Sequence, residues 1–357
     1  MSNKILLVDD SALMRSVIGD IINKDPRFRV EDKAKDGLEA LELLRSKKYD
    51  AVVLDVNMPR MTGLELLQKL REENIHVRVM MASTDTVDGS ETAMKALEYG
   101  AADFVHKPER ASEIRGNTFG DDFINTLAAV CAAVDISDPK VSRLDSMSAV
   151  RKMAQGLGVK PSKGTGNKIV AIASSTGGPK SLQSVIPNLP ADLNAPVVLV
   201  QHMPMGFTAS LATRLDSMSK IKVQEAKEGD ELEKGHVYIA KGGMHMVILN
   251  KGGRHVIHFK DLPPRENVKP CANYMYESLA DSRYDEVVCA VLTGMGADGM
   301  EGISNLKKRK RVYVISQNAD TCIVYGMPKA VEGAGLSNKV LPLNEVADEI
   351  TAKIGVL

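Results

Sequence analysis

Two groups of side chains in this 357-residue chain have the types and spacing to do chemistry. In the first, Asp9 and Asp10 follow the apolar run Ile-Leu-Leu-Val, and Asp55 ends the run Ala-Val-Val-Leu-Asp. Ser83 and Lys107 stand at the ends of two further short runs. Three carboxylates converging on one cleft repel each other, and a hard divalent cation with oxygen ligands, Mg²⁺ above all, relieves that repulsion. A cation, an ammonium and a hydroxyl around one reactive carboxylate are the parts that phosphoryl transfer onto aspartate requires. One aspartate at a strand end is more often a turn former. Asp9, Asp10, Asp55, Ser83 and Lys107, each at a strand terminus, outweigh that reading together.

In the second group, Ser174 and Ser175 follow Lys-Ile-Val-Ala-Ile-Ala and precede Thr-Gly-Gly-Pro. His202 ends Pro-Val-Val-Leu-Val-Gln-His, and Asp298 sits in Thr-Gly-Met-Gly-Ala-Asp-Gly after Val-Val-Cys-Ala-Val-Leu. A serine hydroxyl is a weak nucleophile until a base takes its proton, and that base works best when a carboxylate sets its tautomer. Glycines around Met295 leave a backbone N–H available to an oxyanion. A phosphate cradle at the Gly-Gly turn is the competing reading, but neither glycine-rich phosphate pattern is present and Pro179 removes a donor. The nucleophile-elbow pattern G-x-S-x-G is also missing. His245, which follows two glycines, rivals His202 as the base, whereas His255 and His258 read as strand surface.

These groups need a scaffold with several strand ends on one edge. In the first hundred-odd residues, Ile5–Val8, Ala51–Val56, Val77–Ala82 and Asp103–Val105 read as strands, with Phe28–Val30 weaker. Ala12–Asn23, Gly37–Ser46, Gly63–Glu73, Glu91–Tyr99 and Asp122–Val134 carry helical spacing. Near-continuous apolar strands alternating with helices argue for a parallel sheet covered on both faces. Residues 135–167, rich in Gly, Ser, Lys and Arg with Pro139 and Pro161, read as a flexible linker. A second alternating region follows, with strands at Lys168–Ala173, Val197–Val200, Val287–Leu292 and Val312–Ser316. Within it a hairpin of Met246–Leu249 and His255–Phe259 turns at Asn-Lys-Gly-Gly-Arg.

Composition narrows the class. At 44% hydrophobic and 26% charged, the chain is of ordinary globular type, and 46 basic residues balance 46 acidic ones, so charge points to neither nucleic acid nor a membrane surface. It contains no apolar run of the ~18 residues that a membrane-spanning helix needs. The N-terminus does not read as a signal peptide. Cys131, Cys271, Cys289 and Cys322 are too scattered for a disulfide framework or a zinc site. A reduced cytoplasmic enzyme or regulator is expected.

Leu-Val-Asp-Asp-Ser, Leu-Asp-Val-Asn-Met-Pro-Arg-Met-Thr-Gly and Lys107-Pro108 resemble a bacterial response-regulator receiver domain over residues 1–134. The resemblance implies a five-stranded parallel flavodoxin-like fold and phosphorylation of Asp55 by a partner histidine kinase. It also implies Mg²⁺ held by Asp10, Asp55 and the backbone of Asn57 with Asp9 nearby, a switch through Ser83 and Lys107, and a cis Lys107-Pro108 bond. Ala-Ser-Ser-Thr-Gly-Gly-Pro, Val-Gln-His-Met-Pro-x-Gly-Phe-Thr, Leu-Thr-Gly-Met-Gly-Ala-Asp-Gly and Tyr-Gly-Met-Pro resemble the chemotaxis protein-glutamate methylesterase (CheB) family. That likeness implies a doubly wound, mostly parallel α/β catalytic domain over 168–357, with a β-hairpin. It makes Ser175 the nucleophile, His202 the base, Asp298 the orienting acid and the Met295 amide an oxyanion donor. Ser174, at a position usually small, is then not the nucleophile.

The expected substrates are γ-glutamyl methyl esters, and glutamines, on methyl-accepting chemoreceptors. No cofactor is expected in the esterase. Phosphorylation of Asp55 is expected to shift a domain interface and uncover the cleft. Cys271 and Asn273 replace a serine and an aspartate usual in the family, a departure expected to affect substrate-side contacts rather than the triad. The run Lys-Lys-Arg-Lys-Arg at 307–311 reads as a solvated helix end, with docking to an acidic receptor surface as the lesser alternative. Two other readings remain. A DNA-binding output is disfavoured by the size and strand content of 168–357, and a silent scaffold by the triad residues.

Overall fold

The computed structural model describes residues 2–84, 87–107, 117–132 and 166–357. The chain divides into two compact units, Met1–Ser137 and Asp138–Leu357. Of the expected linker only Gly166 and Asn167 are among the described residues, and Pro108, whose bond to Lys107 was expected to be cis, lies outside them.

In the first unit, β1 (Asn3–Val8), β2 (Phe28–Ala34), β3 (Ala51–Asp55), β4 (Val79–Thr84) and β5 (Asp103–Lys107) pair in parallel in the order β2-β1-β3-β4-β5. Helices α1 (Ala12–Lys24), α2 (Gly37–Ser46), α3 (Gly63–Glu72), α4 (Val87–Glu98) and α5 (Asn117–Ala132) alternate with them. Ile5, Leu7, Val53 and Met80 share one core with Ile18 and Ile22 of α1 and Phe123 and Leu127 of α5. The alternate strand residues Leu6, Val52 and Leu54 are buried as well, so both faces of the sheet are covered. The order reverses between β1 and β3, and at such a switch point the loops leave in opposite directions and open a crevice at the carboxyl ends of the strands. Asp9 and Asp10 follow β1 directly, and Asp55 is the last residue of β3.

The loop after β3 is pinned from both sides. Thr62 and Glu65 form a reciprocal capping box at the start of α3. Arg60, whose φ is 64°, pairs with the buried carboxylate of Asp36, the residue that caps α2.

In the second unit, β6 (Lys168–Ser174), β7 (Val197–Gln201), β8 (Lys222–Glu225), β9 (His236–Ile239), β12 (Glu286–Val291), β13 (Arg311–Gln317) and β14 (Lys339–Leu341) form a seven-stranded sheet. Its order is β14-β13-β12-β6-β7-β9-β8, and every pairing is parallel. An antiparallel hairpin, β10 (His245–Lys251) and β11 (Arg254–Lys260), turns through Gly252 and Gly253. The helices are α6 (Gly178–Val185), α7 (Phe207–Met218), α8 (Ala272–Ser278), α9 (Met300–Lys307), α10 (Met327–Gly333) and α11 (Leu343–Ile354). The chain winds outward from β6 through β7 to β8 and β9, then returns to place β12 on the other side of β6. The switch point therefore falls at β6. The strand before Ser175 lies between the strands that lead to Asp298 and His202.

The strands expected from sequence all form, with ends shifted by one to four residues. The outlying β8, β9 and β14 were not expected; each has only three or four residues, and β8 and β14 mix polar with apolar positions, too little for a period to register. His255, expected on the strand surface, is buried instead: its Nε2 accepts from the Arg283 N–H at 2.9 Å and its ring stacks on Tyr284 at 4.2 Å. Its neighbour on the same strand, His258, is part-exposed and pairs with Glu228. Nor is the basic run 307–311 simply solvated. Lys307 donates to the Leu336 carbonyl at 2.6 Å, and Lys310 donates to the carbonyls of Ser282 and Tyr284. Arg309 pairs with Asp281.

Candidate functional site

In the first unit the crevice collects carboxylates. Oxygen atoms of Asp9, Asp10 and Asp55 all lie within 4.8 Å of one another, the first and last buried and Asp10 exposed. Lys107, at the end of β5, donates to Asp9 Oδ2 at 2.9 Å and to Asp55 Oδ1 at 2.6 Å, and the Val56 N–H donates to the same Asp55 oxygen at 2.8 Å. Burial, aided by the charge of Asp9, raises the Asp55 carboxyl above the ordinary carboxylate range against the pull of Lys107. Burial works against the Lys107 ammonium, yet Asp55 and Asp9 together hold its pKa above the usual lysine value. Ser83 is buried one residue beyond the strand position that pairs with Asp55, and Asn57 is exposed. A set of carboxylate oxygens this close, only partly neutralised by one ammonium, fits a hard divalent cation.

In the second unit, Ser175 follows β6, His202 follows β7, and Asp298 lies in the loop between β12 and α9. His202 donates from Nε2 to Asp298 Oδ2 at 2.8 Å, and both side chains are nearly buried. The other imidazole nitrogen, Nδ1, is buried with no hydrogen-bond partner, so Ser175 Oγ is not bonded to the ring. The loops that carry Ser175 and His202 are nevertheless joined: the Gln201 side-chain amide donates to the carbonyls of Ser175 and His202 at 2.9 and 3.1 Å.

Asp298 is held by more than its histidine. Its Oδ2 also accepts from the Ala272 N–H at 2.6 Å, and its Oδ1 accepts from the Cys271 thiol at 3.0 Å and the Asn273 N–H at 2.9 Å. Burial alone would raise this carboxyl, but the donors, with His202 foremost, hold it below the ordinary range. Burial and the facing carboxylate push the Cys271 thiol far up, so it stays protonated and able to donate.

Cys271 and Asn273 therefore act on Asp298 itself, which corrects the expectation that they touch the substrate side. The Asn273 side chain does a second job. Its Oδ1 accepts from the N–H groups of Gly299 and Gly302, at 3.0 and 2.6 Å, and so caps α9, whose N-cap residue Gly299 has no side chain to offer. Its Nδ2 donates to Glu266 at 2.7 Å. An amide can serve both ends, where an aspartate would offer acceptors only.

His245 does not stand in for His202 at Asp298. It is buried, its Nδ1 accepts from the Cys271 N–H at 3.2 Å, and its Nε2 donates to the Pro263 carbonyl at 3.1 Å. It thus supports the segment that holds Asp298. Burial lowers its pKa, and Lys269 adds to that.

The Met295 amide makes no hydrogen bond among the described residues, while the flanking backbone is committed: Gly294 donates to Val324 and accepts from Gly326 and Met327. A Cβ on Gly294 would come within 2.7 Å of Ser175 Cβ, so only glycine lets this loop lie against Ser175. Thr293 donates to the Thr176 carbonyl at 3.0 Å and accepts from the Val324 N–H at 2.9 Å, fastening the same loop beneath. Gln201, Thr293 and Ala272 were not singled out from sequence, and Cys271 and Asn273 were expected on the substrate side instead of at Asp298. The available signal was position, since Gln201 and Ser174 immediately precede His202 and Ser175.

No described helix is long and apolar enough to cross a membrane. Comparison with known proteins agrees with the two halves seen here. A family model described as CheB methylesterase matches residues 170–350, and one described as a response regulator receiver domain matches residues 5–118. A Geobacillus kaustophilus protein named protein-glutamate methylesterase/protein-glutamine glutaminase is 39% identical over 99% of both chains. A Pyrococcus abyssi protein of the same name is 41% identical over 99% of this chain and 94% of that one. The crystal structure of the Thermotoga maritima CheB methylesterase catalytic domain is 41% identical, with a TM-score of 0.50, over 52% of this chain and 98% of that one. With a sheet whose switch point lies beside a His–Asp pair, and relatives matching from end to end, the chain belongs to the CheB methylesterase family and carries a response regulator receiver domain.

Proposed function

We propose that this chain hydrolyses γ-glutamyl methyl esters on methyl-accepting chemoreceptors, deamidates receptor glutamines at the same site, and is switched on by phosphorylation of Asp55. The domain assignment is a receiver at 1–134, a linker at 135–167 and a catalytic domain at 168–357. The observation that carries the reading is the 2.8 Å bond from His202 to Asp298 at the edge where Ser175 also emerges.

Ser175 Oγ attacks the ester carbonyl carbon while His202 Nδ1 takes its proton, and Asp298 stays ionised beside the imidazolium. The carbonyl oxygen becomes an oxyanion that accepts from the Met295 N–H. Collapse breaks the bond to the methoxy oxygen, which leaves as methanol with the proton from His202. Water then attacks the acyl-serine, gives its proton to His202, and releases glutamate as the proton returns to Ser175. With a glutamine substrate the leaving group is ammonia. None of these steps requires a cofactor.

In the receiver, Asp55 accepts the phosphoryl group from a chemotaxis histidine kinase. Asp10, Asp55 and the Asn57 carbonyl would hold Mg²⁺, which when bound offsets charge on the phosphoryl oxygens. Lys107 pairs with the carboxylates, and Ser83 would meet the added phosphoryl oxygens and pass on the change.

The test is methanol release from a methylated receptor fragment, with and without a small phosphodonor. Wild type should release methanol faster with the donor, Ser175→Ala should release none while still binding the fragment, and Asp55→Asn should ignore the donor. Turnover by Ser175→Ala at the wild-type rate would overturn the triad, and labelling of Asp55→Asn at another residue would overturn the phosphoacceptor.

A further inference from the structure

Ser174 and Gln201 are register partners at the last rung between β6 and β7. Parallel neighbours in register present their side chains to the same face, and both of these are buried. The Ser174 hydroxyl donates to Gln201 Oε1 at 2.7 Å, and the two carbonyls at the other end of the amide, which can only accept, settle which way it faces. The amide nitrogen then points at two carbonyls, those of Ser175 and His202, at 2.9 and 3.1 Å. A flipped amide would set its oxygen against both carbonyls and its nitrogen against the hydroxyl, which could then only accept. The first turn of α6 closes over the pair. A Cβ on Gly178 would lie 1.9 Å from Gln201 Oε1 and 2.9 Å from Ser174 Cβ.

We infer that Gln201 is a positioning residue, one side-chain amide that sets the nucleophile's backbone against the base's backbone, with Ser174 orienting it. The inference rests on the esterase reading above. Ser175 and His202 share no direct hydrogen bond here, so their alignment depends on how the two loops are held. The main chain supplies one further tie, from the His202 N–H to the Ser174 carbonyl at 3.1 Å. That ladder bond holds the strands and leaves the His202 carbonyl to Gln201, which shares the Ser175 carbonyl with the Gly178 N–H at 2.6 Å. A misplacement of about 1 Å in such a pair costs on the order of 10²-fold in rate. The arrangement also gives Ser174 a use, although it is not the nucleophile.

The experiment measures kcat and KM for methanol release by the full chain on a methylated receptor fragment. Rates are expressed per serine reactive toward a fluorophosphonate, so that misfolded protein does not count. Gln201→Met keeps the length and bulk of the side chain and removes its hydrogen bonds. It should lower kcat by roughly 10²-fold with KM within about twofold. Ser174→Ala should lower kcat roughly three- to tenfold, in the range of one lost neutral hydrogen bond. The double variant should be no worse than Gln201→Met, because Ser174 acts through Gln201.

Wild-type kcat per reactive serine in Gln201→Met would overturn the inference, as would a double-variant loss equal to the product of the single losses. If Gln201→Met does not fold, Ser174→Ala decides alone, and an unchanged kcat there overturns it. Ser175→Ala runs alongside. Turnover by that variant sinks the esterase reading itself, whereas a dead Ser175→Ala with a normal Gln201→Met sinks only the role given to Gln201.

Discussion

Asp298 receives the Nε2 hydrogen of His202, at 2.8 Å, and leaves Nδ1 without a partner, the nitrogen that takes the serine proton in the proposed mechanism. In the familiar serine-protease arrangement the two nitrogens have the opposite duties. Asp298 follows the strand on the far side of β6 from the one that leads to His202. The chemistry needs only that one nitrogen carry the hydrogen toward the carboxylate while the other is left as an acceptor, and this ring does both.

Replacing Asp298 by asparagine should be worse than the loss of a charge. The Ala272 N–H faces one carboxylate oxygen and the Asn273 N–H faces the other, so the NH₂ of an amide meets a backbone donor in either orientation. We expect Asp298→Asn to lower kcat by about 10⁴-fold. Stability of the catalytic unit should fall by about 1–3 kcal/mol, the cost of leaving buried donors unsatisfied. Calorimetry beside the kinetics checks both, and an unchanged melting temperature would contradict the donor count.

The Cys271 thiol donates to a carboxylate and is kept protonated, so it should behave as a hydrogen-bond donor and not as a nucleophile. Cys271→Ser should keep kcat/KM within about threefold. Cys271→Ala should lose roughly tenfold, the scale of one hydrogen bond to a charged group. Iodoacetamide at pH 8 should label Cys271 only after denaturation, as peptide mass mapping would show. Labelling in the native protein would refute the assignment.

Acid should loosen the segment that holds Asp298. Burial lowers the pKa of His245 in the fold, so below the free histidine value the unfolded chain binds a proton that the native state resists. Stability is then fully present above about pH 6.5 and declines as pH falls below it. His255, also lowered by burial, acts in the same direction. His245→Asn keeps an acceptor near the Nδ1 position and removes the titration. Urea melts from pH 7.5 to 5 should give a shallower slope for this variant than for wild type, and equal slopes would assign the effect to His255.

For Asp55 the sign is reversed. Its carboxyl is raised in the fold, so between the ordinary value and the raised one the native state binds more protons than the unfolded state, and stability falls as pH rises through that window. The cost is fully present once the pH is above the raised value. Asp55→Asn should therefore stabilise the first unit by about 1 kcal/mol at pH 7, with Asp9 left to hold Lys107. Thermal melts of the two full-length proteins test this, and a lower transition in the variant would sink it.

Read along the chain, the residues already determined the alternation of strand and helix, the carboxylates at the ends of β1 and β3, and the serine, histidine and aspartate at three further loops. These are local facts, because a strand end shows in the few residues on either side of it. Tertiary structure decided what each group faces. His202 and Asp298 are 96 positions apart, Ser174 and Gln201 27, and Cys271 and Asp298 27, and no period in the sequence spans such distances. Whether a cysteine supports the acid or the substrate, which ring nitrogen is left for the serine, and whether a hairpin histidine is exposed all depend on which strands become neighbours. That order is set by burying both faces of the sheet at once, a property of the whole unit and of no single segment.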